Sequence, residues 1–185
     1  GYGGSCYLNN AAVAAQALRE AGHERVAVVD LDAHQGNGTA SIFWERGDVL
    51  YASVHVDPAA GWFPHYCGHA DETGGGAGEG ATLNVPVPEG TGDEPWVAGV
   101  QRLVDRVADH GATALVVSLG VDAAVDDPES PLRVTAAGYR QAGSLLGGLG
   151  LPSVAVQEGG YHLPSLGSLV SAYLDGHGGS AHAGA

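Results

Sequence analysis

RVAVVDLDAHQGNGT, residues 25–39, decides how the rest of the chain is read. Its opening, RVAVV, is a short apolar run, the pattern of a strand covered on both faces. Asp30, Asp32 and His34 follow at once, and then two glycines flank Asn37. Alternate residues of an extended segment point to the same side, so Asp32 and His34 face one point. A carboxylate and an imidazole aimed together form either a metal-competent pair or a loop cap with satisfied polar groups.

Outward from that stretch the pattern alternates helix and strand. Residues 9–21 are Ala-rich, with Asn9 or Asn10 placed to cap a helix and Gly22 to stop it. Residues 38–46 read as a short helix and 49–56 (VLYASVHV) as the next strand. A long segment, 57–80, carries GWFPHYCGHADETGGGAGEG, and its length marks it as functional or disordered. Residues 81–87 are extended. Residues 95–110 form an amphipathic helix through Trp96, Val100, Leu103, Val104 and Val107. Strands at 113–119 and 152–157 bracket a helix at 135–149, and a last helix at 166–174 precedes a polar stretch expected to be a flexible tail, 175–185. Apolar strands alternating with helices predict a single α/β domain, a three-layer αβα sandwich on a mostly parallel sheet.

Composition excludes several classes. The chain has 185 residues, 44% of them hydrophobic and 15% charged, enough core for one domain and too apolar for disorder. The formal net charge is −14, and all seven basic residues are scattered arginines, so no nucleic-acid partner is expected. The acidic balance suits a small cationic substrate, or simple solubility. No apolar run is long enough to span a bilayer. GYGGSCYLNN lacks the basic and apolar regions of a signal peptide. Cys6 and Cys67 form neither a disulfide framework nor a CxxC pair, which points to a reducing, cytoplasmic setting.

In a parallel sheet, ligands bind outside the carboxyl ends of the strands. Asp32 and His34 follow one strand, Asp122 a second, and Glu158-Gly159-Gly160-Tyr161 a third. Two carboxylates and one imidazole suit zinc, with ferrous iron also acceptable, and three protein ligands leave a position open for water. Tyr161, on its Gly-Gly turn, is placed to donate to an oxyanion. Taken singly, a lone Asp after a strand is more often a cap, and a GGY more often a turn.

DLDAHQGNGT, SLGVDAAVDDP and EGGYHLPSL, in that order, resemble the zinc-dependent histone deacetylase family of the arginase/deacetylase fold. GYGGSCYLNNAAVAA, the WFPHYCGHADETGGGAGEG loop and LNVPVPEGTGD extend the resemblance over essentially the whole chain, and the loop is most similar to the acetylpolyamine amidohydrolase branch. The resemblance implies Asp32, His34 and Asp122 as zinc ligands and Tyr161 as the oxyanion-stabilising residue. It implies Phe63 as a tunnel wall and the Gly4 carbonyl as a contact for the substrate amide. It also implies a structural potassium or sodium ion held by Asp30, Ser53 and the carbonyls of Asp32, His34 and Val54. Asn37 and Asp30 are expected to orient a His-His pair that the family places shortly before the GGxC turn. That pair is not in these residues, so the domain is expected to be the C-terminal part, 1–185, of a deacetylase-like catalytic domain incomplete at the N-terminus. Ser5 and Gln35 depart from common family choices, an aromatic wall and a second histidine. His55 and His65 are expected near the site, and His23, His110, His177 and His182 at the surface or in the tail.

The implied activity is removal of acetyl groups from small amines, with protein acetyl-lysine as the alternative substrate. A metal-binding remnant without turnover is the reading from another class. A ureohydrolase shares the fold but needs a second metal and further Asp-rich motifs. A homo-oligomer is compatible with all of these.

Overall fold

The computed structural model describes residues 3–4 and 6–180; Ser5 and His182 lie outside the described residues. Among the described residues, five parallel strands run β1 Val26–Asp30, β2 Val49–Val56, β3 Thr82–Val87, β4 Ala114–Leu119 and β5 Ser153–Gln157, in the spatial order β3-β2-β1-β4-β5. The α-helices that accompany them there are α1 Asn10–Glu20, α2 Asn37–Phe43, α3 Asp93–His110, α4 Ala136–Gly147 and α5 Leu163–Ser180.

Strand parity builds the layers. Ala27, Val29 and Leu31 share one core with Leu50, Val54, Leu115 and Val117, and α3, α4 and α5 cover it through Trp96, Leu103, Tyr139, Leu146 and Tyr173. Val26, Val28, Tyr51 and Val116 face the other way, against Ala11, Ala12, Ala15 and Phe43 of α1 and α2. The expected αβα sandwich is therefore present, with a wholly parallel sheet. Each fully buried large side chain contributes roughly 1.5–3 kcal/mol relative to exposure, and the central strands carry most of them.

Register sets the site. Asp30 pairs with Ser53 on β2 and with Ser118 on β4, so the carboxyl ends of the three central strands lie side by side. The chain steps from β1 outward through β2 and β3, then crosses to the far side of β1 for β4. Such a reversal opens a crevice at the strand ends.

Local signals act largely as expected. Asn9 is the α1 cap, its Oδ1 accepting from the Ala12 amide at 2.7 Å. Three expectations change. The helix after β1 ends at Phe43 instead of residue 46. The last helix starts earlier and runs through Ser180, so residues 175–180 are helical where a tail is expected; 181–185 lie outside the described residues. The apolar β5 is an exposed edge strand, with Val154 41% exposed, because it pairs with β4 alone and little covers its faces.

The long segment is ordered. Short 3-10 turns form at Pro58–Ala60 and Gly76–Gly78. Glu72 Oε2 accepts from the amides of Gly68 (2.6 Å) and His69 (3.1 Å), and Asn84 Nδ2 donates to the carbonyls of His69 and Glu72. No helix among the described residues is long and apolar enough to cross a membrane.

Candidate active site

Asp32 and His34 leave the end of β1, and Asp122 follows β4. One ligand atom from each lies within 4.8 Å of the others. His34 Nδ1 is 3.0 Å from Asp32 Oδ1 and 3.0 Å from Asp122 Oδ2. The opposite ring nitrogen, Nε2, is 3.0 Å from the Glu129 carbonyl. A carbonyl can only accept, so Nε2 carries the hydrogen and Nδ1 is the nitrogen turned toward the two carboxylates. This is how metal-binding histidines are commonly oriented.

The remaining carboxylate oxygens tie strand ends together. Asp122 Oδ1 accepts from the Ala33 amide at 2.7 Å, and Asp32 Oδ2 from the Gly159 amide at 3.0 Å. Gly159 is demanded here, because a Cβ would stand 2.3 Å from Asp122 Oδ2 and 2.6 Å from Asp32 Oδ2. Asp122 is fully buried.

Electrostatics describe a site short of positive charge. Burial, then the neighbouring Asp32 carboxylate, push Asp122 up to about 7. Burial also opposes ionisation of Asp32, but hydrogen bonds from His34 overcome it and lower its pKa. Burial disfavours the His34 cation, yet its bonds to Asp122 and Asp32 raise it to about 10. Two carboxylates thus recruit the one proton-accepting ring within reach as their counter-ion. A divalent cation fits such a donor set: two carboxylate oxygens and one imidazole nitrogen, convergent and mostly buried.

Asp30 is buried beneath the pair. Its Oδ1 accepts from the Asp32 amide at 3.2 Å and its Oδ2 from the Tyr51 hydroxyl at 3.0 Å. Burial, then the Asp32 charge, raise its pKa well above the usual carboxylate range. Ser53 Oγ lies 2.8 Å from His55 Nδ1, while His55 Nε2 lies 2.9 Å from the Gly68 carbonyl. The carbonyl fixes the tautomer, so Ser53 donates to His55 and keeps its oxygen lone pairs for another partner. Val54 is buried one residue on.

Above the triad, the crevice is lined by Gly3, Gly4, Asn37, Phe63, Glu129, Glu158 and Tyr161 among others. The Phe63 ring centroid is 6.5 Å from that of His34, and the ring packs against Gly3. Asn37 Nδ2 donates to the Tyr66 hydroxyl at 3.0 Å. Tyr161 is 50% exposed. Partial burial, with Asp32 and Asp122 nearby, pushes its phenol up to about 12, so it stays a hydrogen-bond donor at neutral pH.

Of the other histidines, His110 departs from expectation. His55 is fully buried under the crevice, locked between Ser53 and Gly68. His65 stacks edge-on against Tyr66 at the exposed loop. His110, expected at the surface, is 6% exposed at the end of α3, and His177 sits on α5 against Tyr173 and Ser153. Gln35 now has a structural account. It is buried, with Nε2 facing Asn84 Oδ1 and Oε1 accepting from the Cys67 thiol, both at 3.5 Å, and it packs on Gly68. Its neighbour Gly68 has φ of +95°, and a Cβ there would meet His55 and Gln35.

Sequence reasoning missed the Glu129 carbonyl, the Gly159 amide and the Asp127 carboxylate. They act through main-chain bonds, which no side-chain motif announces. It named Glu158 at a strand end but gave it no role; burial and then Asp32 push it up to about 7 at the crevice. Its place immediately after a strand was the available signal.

The histone deacetylase domain model matches residues 2–177. The chain belongs to the histone deacetylase family. It is 47% identical over 175 residues to an acetylpolyamine amidohydrolase of Mycoplana ramosa, covering 95% of this chain and 51% of that one. It is 39% identical to histone deacetylase 15 of Arabidopsis thaliana over 174 residues, 92% of this chain and 31% of that one. The crystal structure of the acetylpolyamine aminohydrolase from Burkholderia pseudomallei superposes with a TM-score of 0.93 at 46% identity, over 97% of this chain and 52% of that one. The chain spans about half the length of the curated amidohydrolases that it matches.

Proposed function

We propose that this chain carries the metal-binding part of an amidohydrolase site that removes acetyl groups from small cationic amines. The observation that carries this reading is the convergence of Asp32, His34 Nδ1 and Asp122 beneath a crevice that also holds Tyr161. The likeness to acetylpolyamine amidohydrolases supports the substrate class.

Asp32, His34 and Asp122 would hold zinc, with ferrous iron as the other metal these donors accept. The metal would supply Lewis-acid polarisation of the amide carbonyl and lower the pKa of a water to roughly 7. Tyr161 donates a hydrogen bond to the oxygen as negative charge develops on it, and the phenol's high pKa keeps that proton in place. Phe63 grips the apolar stem of the acyl-amine, and the Gly4 carbonyl accepts from the substrate amide N–H. Glu129 and Glu158 line the crevice with Asp30 and Asp32, and no arginine lines it among the described residues. That acidic wall favours an amine-bearing tail. Asp30, Ser53 and the carbonyls of Asp32, His34 and Val54 would hold a potassium or sodium ion. The buried Asp30, bonded to an amide and a hydroxyl, and the buried Ser53 hydroxyl paired with it across β1 and β2 fit such an ion.

The resemblance assigns proton transfer to the leaving amine to a pair of histidines that is not among these 185 residues, with Asn37 to orient it. Among the described residues, His55 is held as above and His162 Nδ1 lies 2.8 Å from Ser165 Oγ. That observation favours a second reading for the 185 residues alone, zinc binding without turnover.

Turnover of a mono-acetylated diamine, compared with an acetyl-lysine peptide, tests the reading. Preference for the diamine is expected. Far better turnover of the peptide overturns the substrate class, and zinc binding with neither substrate consumed supports the non-catalytic reading.

A further inference from the structure

Asp127 lies on the loop after β4, beyond Asp122, and is 7% exposed. Its carboxylate is spent on main-chain amides. Oδ2 accepts from the N–H of Tyr161 at 2.7 Å and of His162 at 3.2 Å, while Oδ1 accepts from the N–H of Glu129 at 3.0 Å. Each of those amides belongs to a segment that matters to the site. Tyr161 and His162 form the turn that presents the phenol. Glu129 supplies the carbonyl that takes the His34 Nε2 hydrogen.

We propose that Asp127 is a positioning residue that sets the Tyr161 phenol and the His34 ring relative to one another. Tyr161 needs such a restraint. It follows two glycines beyond an exposed edge strand, where packing does little to fix it. Other restraints on that turn include the Gly159 amide bond to Asp32 and the bond from the Val121 amide to the Gly159 carbonyl at 2.7 Å, both before Gly160, and the Ser165 and Leu166 amides on the His162 carbonyl beyond it. The amide of Tyr161 itself, between these two sets, is held by Asp127. An ionised acceptor makes these bonds roughly twice as strong as neutral ones. One carboxylate bridging two loops also gives both functional groups a common reference. Asparagine cannot reproduce this, because it has one acceptor oxygen and must turn its NH2 toward either the Glu129 amide or the Tyr161 and His162 amides.

The proposal rests on Tyr161 as the oxyanion donor, and its test uses the protein as its host makes it. In Asp127→Asn and Asp127→Ala, amide exchange at Tyr161 and His162 is expected to speed up about tenfold or more. Zinc affinity, read by chelator competition, is expected to weaken about tenfold through the Glu129 arm, and kcat for the acetylated diamine to fall about 10–100-fold. KM is expected to stay within about twofold, as for an interaction used only at the transition state. On a Tyr161→Phe background, at saturating zinc, the same substitutions are expected to cost clearly less in kcat than on the wild-type background, because the hydroxyl they position is gone and only the His34 arm remains. An equal loss on both backgrounds, or unchanged exchange at Tyr161 and His162, overturns the proposal. If Asp127→Ala does not fold, Asp127→Asn alone decides. If the wild-type protein turns over no acetylated amine, the functional reading falls, while exchange and zinc affinity still decide the place of Asp127.

Discussion

β4 and β5 are neighbours, parallel and similar in sequence, ALVVSL beside SVAVQ, yet the molecule treats them oppositely. Every residue of β4 is buried; most of β5 is exposed. Each delivers part of the site. β4 leads to Asp122, which no water reaches, and β5 leads to Tyr161, half in solvent. The Asp122 side is thus held by packing, as a rigid consequence of the core. The Tyr161 side is held by a few hydrogen bonds at the end of an edge strand, to Asp32 and Asp127. Two halves of one site therefore respond to different perturbations.

The largest break is at the packed side. Asp122→Ala removes a donor and leaves the Ala33 amide without its acceptor. Zinc affinity should fall by more than the roughly 10–100-fold that loss of an outer partner costs, and turnover should vanish with it. Isothermal titration with zinc checks this, and unchanged affinity would remove Asp122 from the ligand set. Tyr161→Phe is next. It should lower kcat about 10²–10³-fold, the usual cost of one oxyanion donor, and leave zinc affinity as it was. A variant that keeps full turnover would take the oxyanion role from Tyr161.

A third test sharpens the contrast through pH. His55 lies under the packed side, and burial, only partly offset by its bond to the Gly68 carbonyl, lowers its pKa to about 4. The unfolded chain takes up that proton near pH 6.5. Between those values the unfolded state binds more protons than the native one, so stability rises with pH across that window and is lost as pH falls through it. The full difference is roughly 3 kcal/mol. Urea melts of metal-free protein from pH 7 to pH 4 should show a steeper loss for wild type than for His55→Gln. Parallel curves would mean that His55 is not held neutral.

The packed side was also the legible side. Asp32 and His34 stand out because a period of two puts them on one face of an extended segment, and Asp122 because it follows an apolar strand. α1 was readable from its Asn9 cap and α3 from its apolar stripe. What stayed hidden depends on distance through space. Nothing in SVAVQ tells an edge strand from a central one, since the difference lies in which strands pair with it. His110 looks like an ordinary polar helix end until the fold buries it. Asp127 and Gly159 act on main-chain groups far along the chain, so their side chains carry no local signature. The long segment 57–80 was readable as functional or disordered, and Glu72 and Asn84 decide for order by capping its amides and carbonyls.

The smallest expected effect bears most directly on the two strands. Val117 of β4 is 1% exposed, packed within the α3–α4–α5 core; Val154 of β5 is 41% exposed. Val117→Ala removes two buried carbon groups worth about 0.8 kcal/mol each and leaves a cavity, so a loss of about 2 kcal/mol is expected. Val154→Ala uncovers surface that water already reaches, and its cost should stay within about 0.5 kcal/mol. Urea denaturation of the 185-residue chain, with the slope unchanged, measures both. Equal costs would break the comparison, because they would mean that Val154 is covered in solution. A second copy pairing along the β5 edge would do that, and it has its own signature: the cost of Val154→Ala would grow with protein concentration, while that of Val117→Ala would shift far less. A Val154 cost that is small and independent of concentration leaves β5 an open edge in this chain, and leaves Tyr161 dependent on the bonds at its turn.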